Sequence, residues 1–161
     1  MLRKFLTSLG IIVVCGLVAF LFFLYYMHET SQAPLTSLPD FAGYKAMRIE
    51  VDGQVVNVAV ADTPPLQELG LGNRSGLGTN EGMLFIFPTD QEESFWMKDM
   101  HFSLDMVWIS ANGYIVYMVQ DVSPDTYPEN FTPITPARYV LEVPAGYASE
   151  HGWKVGDLVV F

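Results

Sequence analysis

The sequence predicts a mainly β domain, a compact antiparallel β-sandwich or partly open barrel with one or two short helices, preceded by a single N-terminal transmembrane helix. A series of short segments rich in β-branched and aromatic residues predicts the strands. The turn dipeptides Asp52-Gly53 and Asn112-Gly113 predict two hairpins. An apolar run over residues 9–27 predicts the membrane helix.

The apolar run over residues 9–27 contains 19 residues and no charge. At about 1.5 Å per residue, a helix of this length matches a hydrocarbon core about 30 Å thick. Arg3 and Lys4 precede the run, and the next basic residue is Lys45. By the positive-inside rule, residues 1–27 are expected to form a cytoplasmic stub and signal-anchor in the cytoplasmic membrane of a prokaryote, with the C-terminal domain outside.

Secretion after signal cleavage is the alternative fate of this segment. A secretory signal has an apolar core of about 7–15 residues followed by a small-x-small site. The apolar run is longer than that, and the fitting site at residues 31–33 is followed by Pro34, a poor scissile position. An uncleaved anchor is therefore the preferred interpretation.

Charge and cysteine content exclude several classes of function. After Met27 the chain carries six basic and 18 acidic residues, a formal net charge of −12. Nucleic-acid binding depends on Lys and Arg at the phosphates, so no nucleic-acid partner is expected. Cys15 is the single cysteine, so neither an intrachain disulfide nor a thiolate zinc site can form.

Residues 28–43 are predicted to be a linker, and residues 44–161 the β domain. Residues 28–43 mix polar, small and proline residues without periodicity, which is typical of a tether. Residues 45–51 and 54–61 alternate apolar and polar side chains on either side of Asp52-Gly53. This pattern predicts the first hairpin.

A short helix and a central strand are predicted next. Thr63 followed by two prolines predicts a helix over residues 66–71 that ends at Gly72. Residues 83–87 are apolar at every position and are followed by Pro88, which predicts a strand covered on both faces.

The second half of the domain is predicted as a meander with one irregular connection. Residues 95–98 and 104–109 predict two strands, and Asn112-Gly113 pairs the second of them with residues 114–120. Residues 121–137 contain four prolines and are predicted to be irregular. The remaining predicted elements are a strand over residues 138–143, a helical turn over 145–151 and a closing strand over 158–161.

Common catalytic and nucleotide-binding motifs are absent from the sequence. It contains no G-x-S-x-G elbow, no phosphate-binding G-x-x-x-x-G-K, no H-E-x-x-H and no G-x-G-x-x-G. His28, His101 and His151 lie far apart without the spacing of metal ligands. No catalytic residue, metal or cofactor is therefore assigned.

Polar residues on the predicted central strands are the candidates for function. A period of two places Trp96 and Lys98 on one face of their strand, with Phe95 and Met97 on the other. A segment that needs only burial has no use for a lysine in this position. Trp96 and Lys98 are therefore predicted to face a polar site.

Two carboxylates within apolar strands raise a question of charge pairing. Asp105 shares its predicted face with apolar residues, and an unpaired buried charge costs several kcal/mol. Lys98 is the nearest cation in sequence and is its predicted partner. Glu142 has the same surroundings, and Arg74 is its predicted partner.

These residues admit three interpretations. They could form structural ion pairs that tie loops to strand ends, with Trp96 as a rim aromatic. They could line a shallow ligand-binding cleft. They could form an active site in which Lys98 or a carboxylate acts as acid or base. The candidate ligand-binding residues are Arg74, Trp96, Lys98, Asp105 and Glu142.

A set of short motifs runs through the chain: Gly70-Leu71, Arg74, residues 82–85, residues 95–98, Leu104-Asp105, residues 139–142, Ala145-Gly146 and Gly156-Asp157. In order and spacing, over about residues 46–161, these motifs resemble the bacterial and archaeal family called domain of unknown function 192. Members are often exported or membrane-anchored. The resemblance implies a compact, mainly β domain and carries no established reaction.

The chain departs from the pattern of that family at five positions. The family usually has Asn and Thr where Asp99 and Met100 stand, and Pro where Ser103 stands. Its helix usually bears a basic residue in place of Gln67 and a Met in place of Gly72. Asp99 puts a negative charge beside the lysine and argues against a ligand contact by the usual amide.

The function expected from the sequence is that of a binding or accessory module. We expect a membrane-anchored, outward-facing acidic domain that binds an envelope component or a small polar ligand. A small enzyme that uses Lys98 and a carboxylate as acid–base groups is one alternative. A structural or assembly partner without a ligand is the other.

Overall fold

The computed structural model describes residues 18, 20, 21, 41 and 43–161. Of the membrane helix predicted over residues 9–27, Val18, Phe20 and Leu21 are described and are helical. The other residues of that segment lie outside the described residues, as does the predicted linker apart from Phe41 and Gly43. Within the described residues, no helical segment combines the length and the hydropathy that a membrane crossing requires.

The domain begins with the predicted hairpin. Strand β1 (Lys45–Val51) pairs antiparallel with β2 (Gln54–Ala61). In the turn, Asp52 and Gly53 both have positive φ, at 48° and 80°. Two successive positive φ angles are what the favoured two-residue hairpin turn requires, so this prediction is confirmed.

Helix α1 follows the hairpin and ends earlier than predicted. It spans Pro64–Leu69 and stops at Gly70, whose φ of 49° cannot continue a right-handed helix. The predicted end at Gly72 was therefore two residues too late. The predicted N-cap at Thr63 is confirmed, and the helix begins at Pro64, two residues before the predicted 66.

One strand pair breaks the predicted antiparallel pattern. Strand β3 (Glu81–Gln91) pairs parallel with β2. Parallel neighbours need a long crossover, and the connection that carries α1 returns the chain to the same end of the sheet. This parallel pair is the exception in a sheet that is otherwise antiparallel, as predicted.

Strand β3 also runs past its predicted end. The prediction closed it at Pro88, but the strand continues to Gln91. Its register against the antiparallel partner strand, Ala137–Pro144, shifts between Ile86 and Gln91. This bulge places Pro88 outside the regular ladder. Its lack of a backbone N–H therefore costs no hydrogen bond between the strands.

The strand predicted over residues 95–98 does not form. Phe95 makes an isolated bridge with Phe131, and the chain turns at Lys98 and Asp99. Asp99 has a φ of 58°, which ends any extended run. This stretch, residues 92–103, packs over the sheet and is called the cover segment below.

The remaining elements agree with the predictions in kind and approximate position. The hairpin at Asn112-Gly113 joins its two predicted strands, and the connection that follows holds one 3₁₀ turn. The elements are β4 (Leu104–Ile109), β5 (Ile115–Val122), the 3₁₀ turn Pro124–Thr126, β6 (Ala137–Pro144), α2 (Tyr147–Glu150) and β7 (Val159–Val160).

The seven strands form one curled sheet in the order β5-β4-β6-β3-β2-β1-β7. Its two edges approach each other, because Tyr114 next to β5 bridges Leu158 next to β7. The Val159 N–H donates to the Gly113 carbonyl at 2.7 Å. Of the two predicted architectures, the partly open barrel is confirmed and the sandwich is wrong, because a single sheet curls on itself.

Both faces of the central strands are covered. Side chains from all seven strands and from α2 meet on what we call the inner face, among them Leu84, Val107 and Leu141. The opposite, outer face carries Phe85, Trp108 and their neighbours. Leu71, just after α1, and Met97 of the cover segment pack onto the outer face. The candidate site lies under this covering layer.

Candidate functional site

A cavity of about 350 Å³ lies between the outer face of the sheet, α1 and the cover segment. All but one of its described lining residues fall between Pro64 and Met100. The exception is Glu142 of β6. The lining is Pro64, Gln67, Glu68, Leu69, Gly70, Leu71, Gly72, Phe85, Phe87, Pro88, Gln91, Glu93, Ser94, Phe95, Trp96, Lys98, Met100 and Glu142.

Glu142 is the buried polar group of this cavity. It lies on β6 between Met83 of β3 and Met106 of β4, its partners in register. The residue is 4 % exposed, and burial raises the pKa of its carboxyl group to about 8. Among the residues that the structure describes, none donates a hydrogen bond or an ion pair to it. Glu142 therefore keeps its proton at neutral pH.

Aromatic rings form the wall around Glu142. Phe85 and Phe95 meet edge to face, with ring centroids 4.8 Å apart and planes at 85°. Phe87 meets the same Phe95 ring at 6.4 Å and 86°. Such contacts are the favoured geometry for aromatic pairs and hold the rings in place. These three rings are the aromatic part of the lining, which also contains polar side chains such as Gln67 and Gln91.

The cover segment is fixed to the rest of the domain at several points. Phe95 exchanges two backbone hydrogen bonds with Phe131, at 2.9 and 2.8 Å. The Trp108 indole N–H donates to the Glu93 carbonyl at 3.0 Å. The Ser94 and Thr132 hydroxyl oxygens lie 2.7 Å apart. These contacts fix the backbone that presents Trp96 and Lys98.

The predicted alternation along the cover segment is confirmed, although no strand forms there. Trp96 is 53 % exposed and Lys98 is also exposed, whereas Met97 is 1 % exposed. Phe95 points inward to its aromatic partners. Extended backbone alternates its side chains whether or not it has a strand partner. Trp96 and Lys98 consequently stand at the solvent side of the cavity.

Helix α1 forms the opposite wall and is tied to the sheet through Gln67. The Gln67 side-chain amide donates to the Ile86 carbonyl of β3 at 2.8 Å and to the Ala61 carbonyl of β2 at 3.4 Å. After the helix, the Asn73 N–H donates to the Asp99 carbonyl at 2.8 Å. The two covering elements are thereby joined to each other.

A smaller depression of about 100 Å³ adjoins the cavity. It shares five lining residues with the larger space and adds Asn73 and Asp99; the shared residues are Glu68, Leu69, Gly72, Trp96 and Lys98. Trp96 and Lys98 therefore border both spaces. Gly72 and Asp99, two positions at which the chain departs from the pattern of the resembled family, lie at this end.

Asp105 lies outside the cavity. It is fully buried, and its carboxylate accepts backbone hydrogen bonds from Asp121 (2.9 Å), Gly146 (3.1 Å) and Ala148 (2.9 Å). The register shift between β4 and β5 frees the first of these N–H groups, and the start of α2 supplies the other two. The predicted ion pair with Lys98 was wrong, because backbone amides satisfy the carboxylate.

Arg74 also lies outside the cavity. Its guanidinium carbon lies 4.0 Å from the centroid of the Phe41 ring and 5.5 Å from that of Tyr44. This is cation–π geometry, and it attaches the start of the domain to the loop after α1. The predicted pairing of Arg74 with Glu142 was wrong, because the guanidinium lies over aromatic rings.

The structure thus brings Trp96, Lys98 and Glu142 together and leaves Arg74 and Asp105 elsewhere. The sequence analysis missed the aromatic wall and the contribution of α1. One signal for both was available. A crossover helix must pack on a sheet face, and the alternate phenylalanines Phe85 and Phe87 of the following strand β3 mark which face that is.

The arrangement offers to a bound molecule one buried carboxyl group, one lysine and two further acidic residues, the exposed Glu68 and the half-buried Glu93. Across residues 43–161, no group of three or more His, Cys, Asp or Glu side chains is arranged to hold a metal ion. The cavity can therefore donate or accept a proton at Glu142 and stack a ligand against aromatic rings.

Comparison with known proteins places the chain in a family. The model of domain of unknown function 192, described as an uncharacterized ACR, matches residues 47–161. The chain belongs to this family. Curated proteins give no significant match.

Two solved structures of similar fold come from bacteria. One is a candidate transcription regulator of Sinorhizobium meliloti 1021, with 29 % identity and a TM-score of 0.68 over 72 % of this chain and 93 % of that one. The other is a protein of unknown function from Novosphingobium aromaticivorans DSM 12444, with 26 % identity and a TM-score of 0.73 over 78 % and 91 %.

Proposed function

We propose that this domain of unknown function 192 is a binding module that holds a small ligand in the outer-face cavity. The observation that carries the proposal is Glu142, a buried carboxyl group that lines the cavity without a partner among the described residues. An unbonded buried polar group costs about 1–3 kcal/mol or more. A ligand that bonds to Glu142 removes this cost.

The dimensions and the rim of the cavity support the same proposal. Small-molecule sites are typically clefts of roughly 300–1,000 Å³ with apolar walls and a few polar groups. The cavity of about 350 Å³ lies within this size range, and its lining combines aromatic side chains with polar ones. Trp96 and Lys98 add a large flat surface and a point charge at its mouth.

Ligand binding is tested by thermal unfolding of the purified full-length chain with a panel of sugars, peptides and metabolites. A ligand at 100 times its Kd stabilises the folded state by about 2.7 kcal/mol and raises Tm accordingly. Trp96→Ala and Lys98→Ala should reduce the shift. Ile134→Ala serves as the control, because Ile134 is exposed and lies outside the cavity. The proposal fails if no compound raises Tm or if the cavity variants respond as the control does.

A small enzyme is the second candidate, favoured by the position of Lys98 and Glu142 around one cavity. A carboxyl group with a pKa of about 8 can exchange a proton near neutral pH, as a general acid or base must. Turnover of a panel compound that Glu142→Gln abolishes without unfolding the chain would establish this candidate. A chain with neither turnover nor ligand would instead fit a structural or assembly partner.

We also propose that residues 9–27 anchor the chain in the cytoplasmic membrane of a prokaryote, with the domain outside. The support is the charge-free apolar run and the basic residues before it. Protease added to intact spheroplasts should digest the domain, and its protection would overturn the proposal. Secretion after cleavage would instead release the domain into the medium.

A role in transcription, the description given to the Sinorhizobium meliloti protein, is not extended to this chain. Six basic and 18 acidic residues after Met27 have the wrong balance for contacts to DNA phosphates. The proposed ligand is therefore a component of the envelope or a small molecule that reaches the domain from outside.

A further inference from the structure

The walls of the outer-face cavity specify a class of ligand, and this inference rests on the proposed binding function. We infer that the cavity receives an organic monocation whose ammonium group lies against the carboxylate of Glu142, beside the rings of Phe85, Phe87 and Phe95. Each part of this assignment follows from the position of those four side chains.

The three phenylalanine rings supply faces and edges around one small space. Phe95 stands edge to face with both Phe85 and Phe87, so their planes are nearly perpendicular to it. All three rings line the cavity, so a cation held there can approach the π face of a ring. A cation within about 6 Å of such a face is attracted by the ring quadrupole.

Glu142 supplies the matching anion at the same place. The residue is 4 % exposed, is flanked in register by Met83 and Met106, and lines the cavity with the phenylalanines. A buried carboxylate is stable only when a partner compensates its charge. An ammonium group is such a partner and carries its own N–H donors. An anionic ligand would place like charges together.

The remaining charges of the cavity favour one cationic group and disfavour two. Glu68 of α1 and Glu93 of the cover segment are acidic, and Lys98 is the one basic residue among the described residues of the lining. The net charge of −12 after Met27 attracts cations from solution. Lys98 repels a second cationic group in its vicinity, so the inference is made for one ammonium group, the one that meets Glu142.

Binding of an ammonium group is coupled to loss of the Glu142 proton. The charged groups that face the cavity together with Glu142 are Glu68, Glu93 and Lys98, and its strand neighbours are uncharged methionines. Because the protonated acid must ionise, the affinity for a cation should rise about tenfold per pH unit from about pH 6 to about pH 8. A neutral ligand that accepts a hydrogen bond from the protonated acid has no such rise.

The experiment compares three probes of one size and three charges on the purified full-length chain. Benzylammonium, benzyl alcohol and benzoate are titrated by calorimetry and by thermal unfolding at several pH values. Benzylammonium should bind at least about tenfold more tightly than benzyl alcohol near pH 8, with benzoate weakest. Its affinity should rise with pH, and protons should be released to the buffer.

Variants connect the effect to Glu142. Glu142→Gln has the same shape and should lose both the preference for the cation and its pH dependence, while benzyl alcohol binds it unchanged. Glu129→Gln removes the same charge from an exposed site outside the cavity and should bind benzylammonium as the wild type does. Urea unfolding of both variants verifies that they fold.

The outcomes separate the two proposals. If benzyl alcohol or benzoate binds as tightly as benzylammonium, the cavity remains a binding site and our inference of a cationic ligand is overturned. The same holds if Glu142→Gln keeps the preference for the cation. If none of the three probes binds, the inference is overturned, and the proposed function is decided by the wider panel of compounds.

Discussion

Asp105 and Glu142 lie on adjacent strands, and their carboxyl groups face opposite sides of the sheet. Asp105 of β4 is paired in register with Val143 of β6, one residue beyond Glu142. A step of one residue along a strand reverses the side-chain direction. On the inner face, three backbone N–H groups satisfy Asp105. On the outer face, Glu142 lines a cavity that is open to a ligand.

The stability of the chain should fall as pH rises, because of Glu142. Its pKa is raised from 4.5 to about 8 in the folded state, so between these values the folded chain binds one proton more than the unfolded chain. The free energy of unfolding therefore falls by about 1.4 kcal/mol per pH unit in this window. Urea unfolding of the wild type and of Glu142→Gln at several pH values measures the effect.

The difference between the two proteins isolates this group from all others that titrate. Glu142→Gln should match the wild type near pH 4.5 and exceed its stability by several kcal/mol near pH 8. Glu129→Gln, with its exposed side chain, should follow the wild type throughout. A constant difference between Glu142→Gln and wild type at every pH would contradict the prediction.

Removing the Asp105 carboxylate should destabilise the domain strongly. Asp105→Ala leaves three backbone N–H groups without their acceptor, and we expect a loss of about 3–5 kcal/mol in the free energy of unfolding. Asp105→Asn keeps one oxygen and should lose less. Asp125→Asn, at an exposed position, is the control. An Asp105→Ala variant within about 1 kcal/mol of the wild type would refute the anchoring role.

Three consecutive residues of the cover segment should respond differently to alanine. Trp96→Ala and Lys98→Ala remove exposed side chains and should change the free energy of unfolding by less than about 1 kcal/mol. Met97→Ala empties a buried site and should cost about 2–5 kcal/mol. Equilibrium unfolding of the three variants tests this order, and a large loss in Lys98→Ala would reveal a structural role for the lysine.

Gly82 should be intolerant of a side chain. A Cβ atom at this position of β3 would stand 2.6 Å from the Glu142 carbonyl oxygen, so Gly82→Ala should push β3 from β6 and cost about 1–3 kcal/mol. Gly76→Ala adds the same atom in open space and should be close to neutral. Thermal unfolding of the pair provides the comparison, and equal Tm values would show that the strands adjust freely.

Much of the fold could be predicted from local patterns. The hairpins follow from Asp52-Gly53 and Asn112-Gly113, whose backbone preferences do not depend on the rest of the chain. The parallel pairing of β2 with β3 could not be predicted in this way. It depends on where the connection carrying α1 returns the chain, which no local pattern records.

The candidate site was predictable in its residue types and not in its pairings. Period two correctly separated Trp96 and Lys98 from their buried neighbours. Proximity in sequence wrongly matched Lys98 with Asp105. The carboxylate instead accepts hydrogen bonds from backbone N–H groups at a bulge and at a helix start, and a comparison of side-chain charges does not include those groups. Glu142 was noticed as a buried charge, but its partner was sought in the chain and not in a ligand.

The cavity draws nearly all of its described lining from one continuous piece of chain, between Pro64 and Met100, and a single further residue from β6. The cavity lining and the closure of the barrel are therefore encoded in largely separate stretches of the gene. Substitutions within that piece can reshape the cavity while β1, β5 and β7 continue to close the sheet. If residues 64–100 are exchanged between two relatives and Glu142 is retained, we expect the ligand preference of the donor protein to move with the exchanged segment.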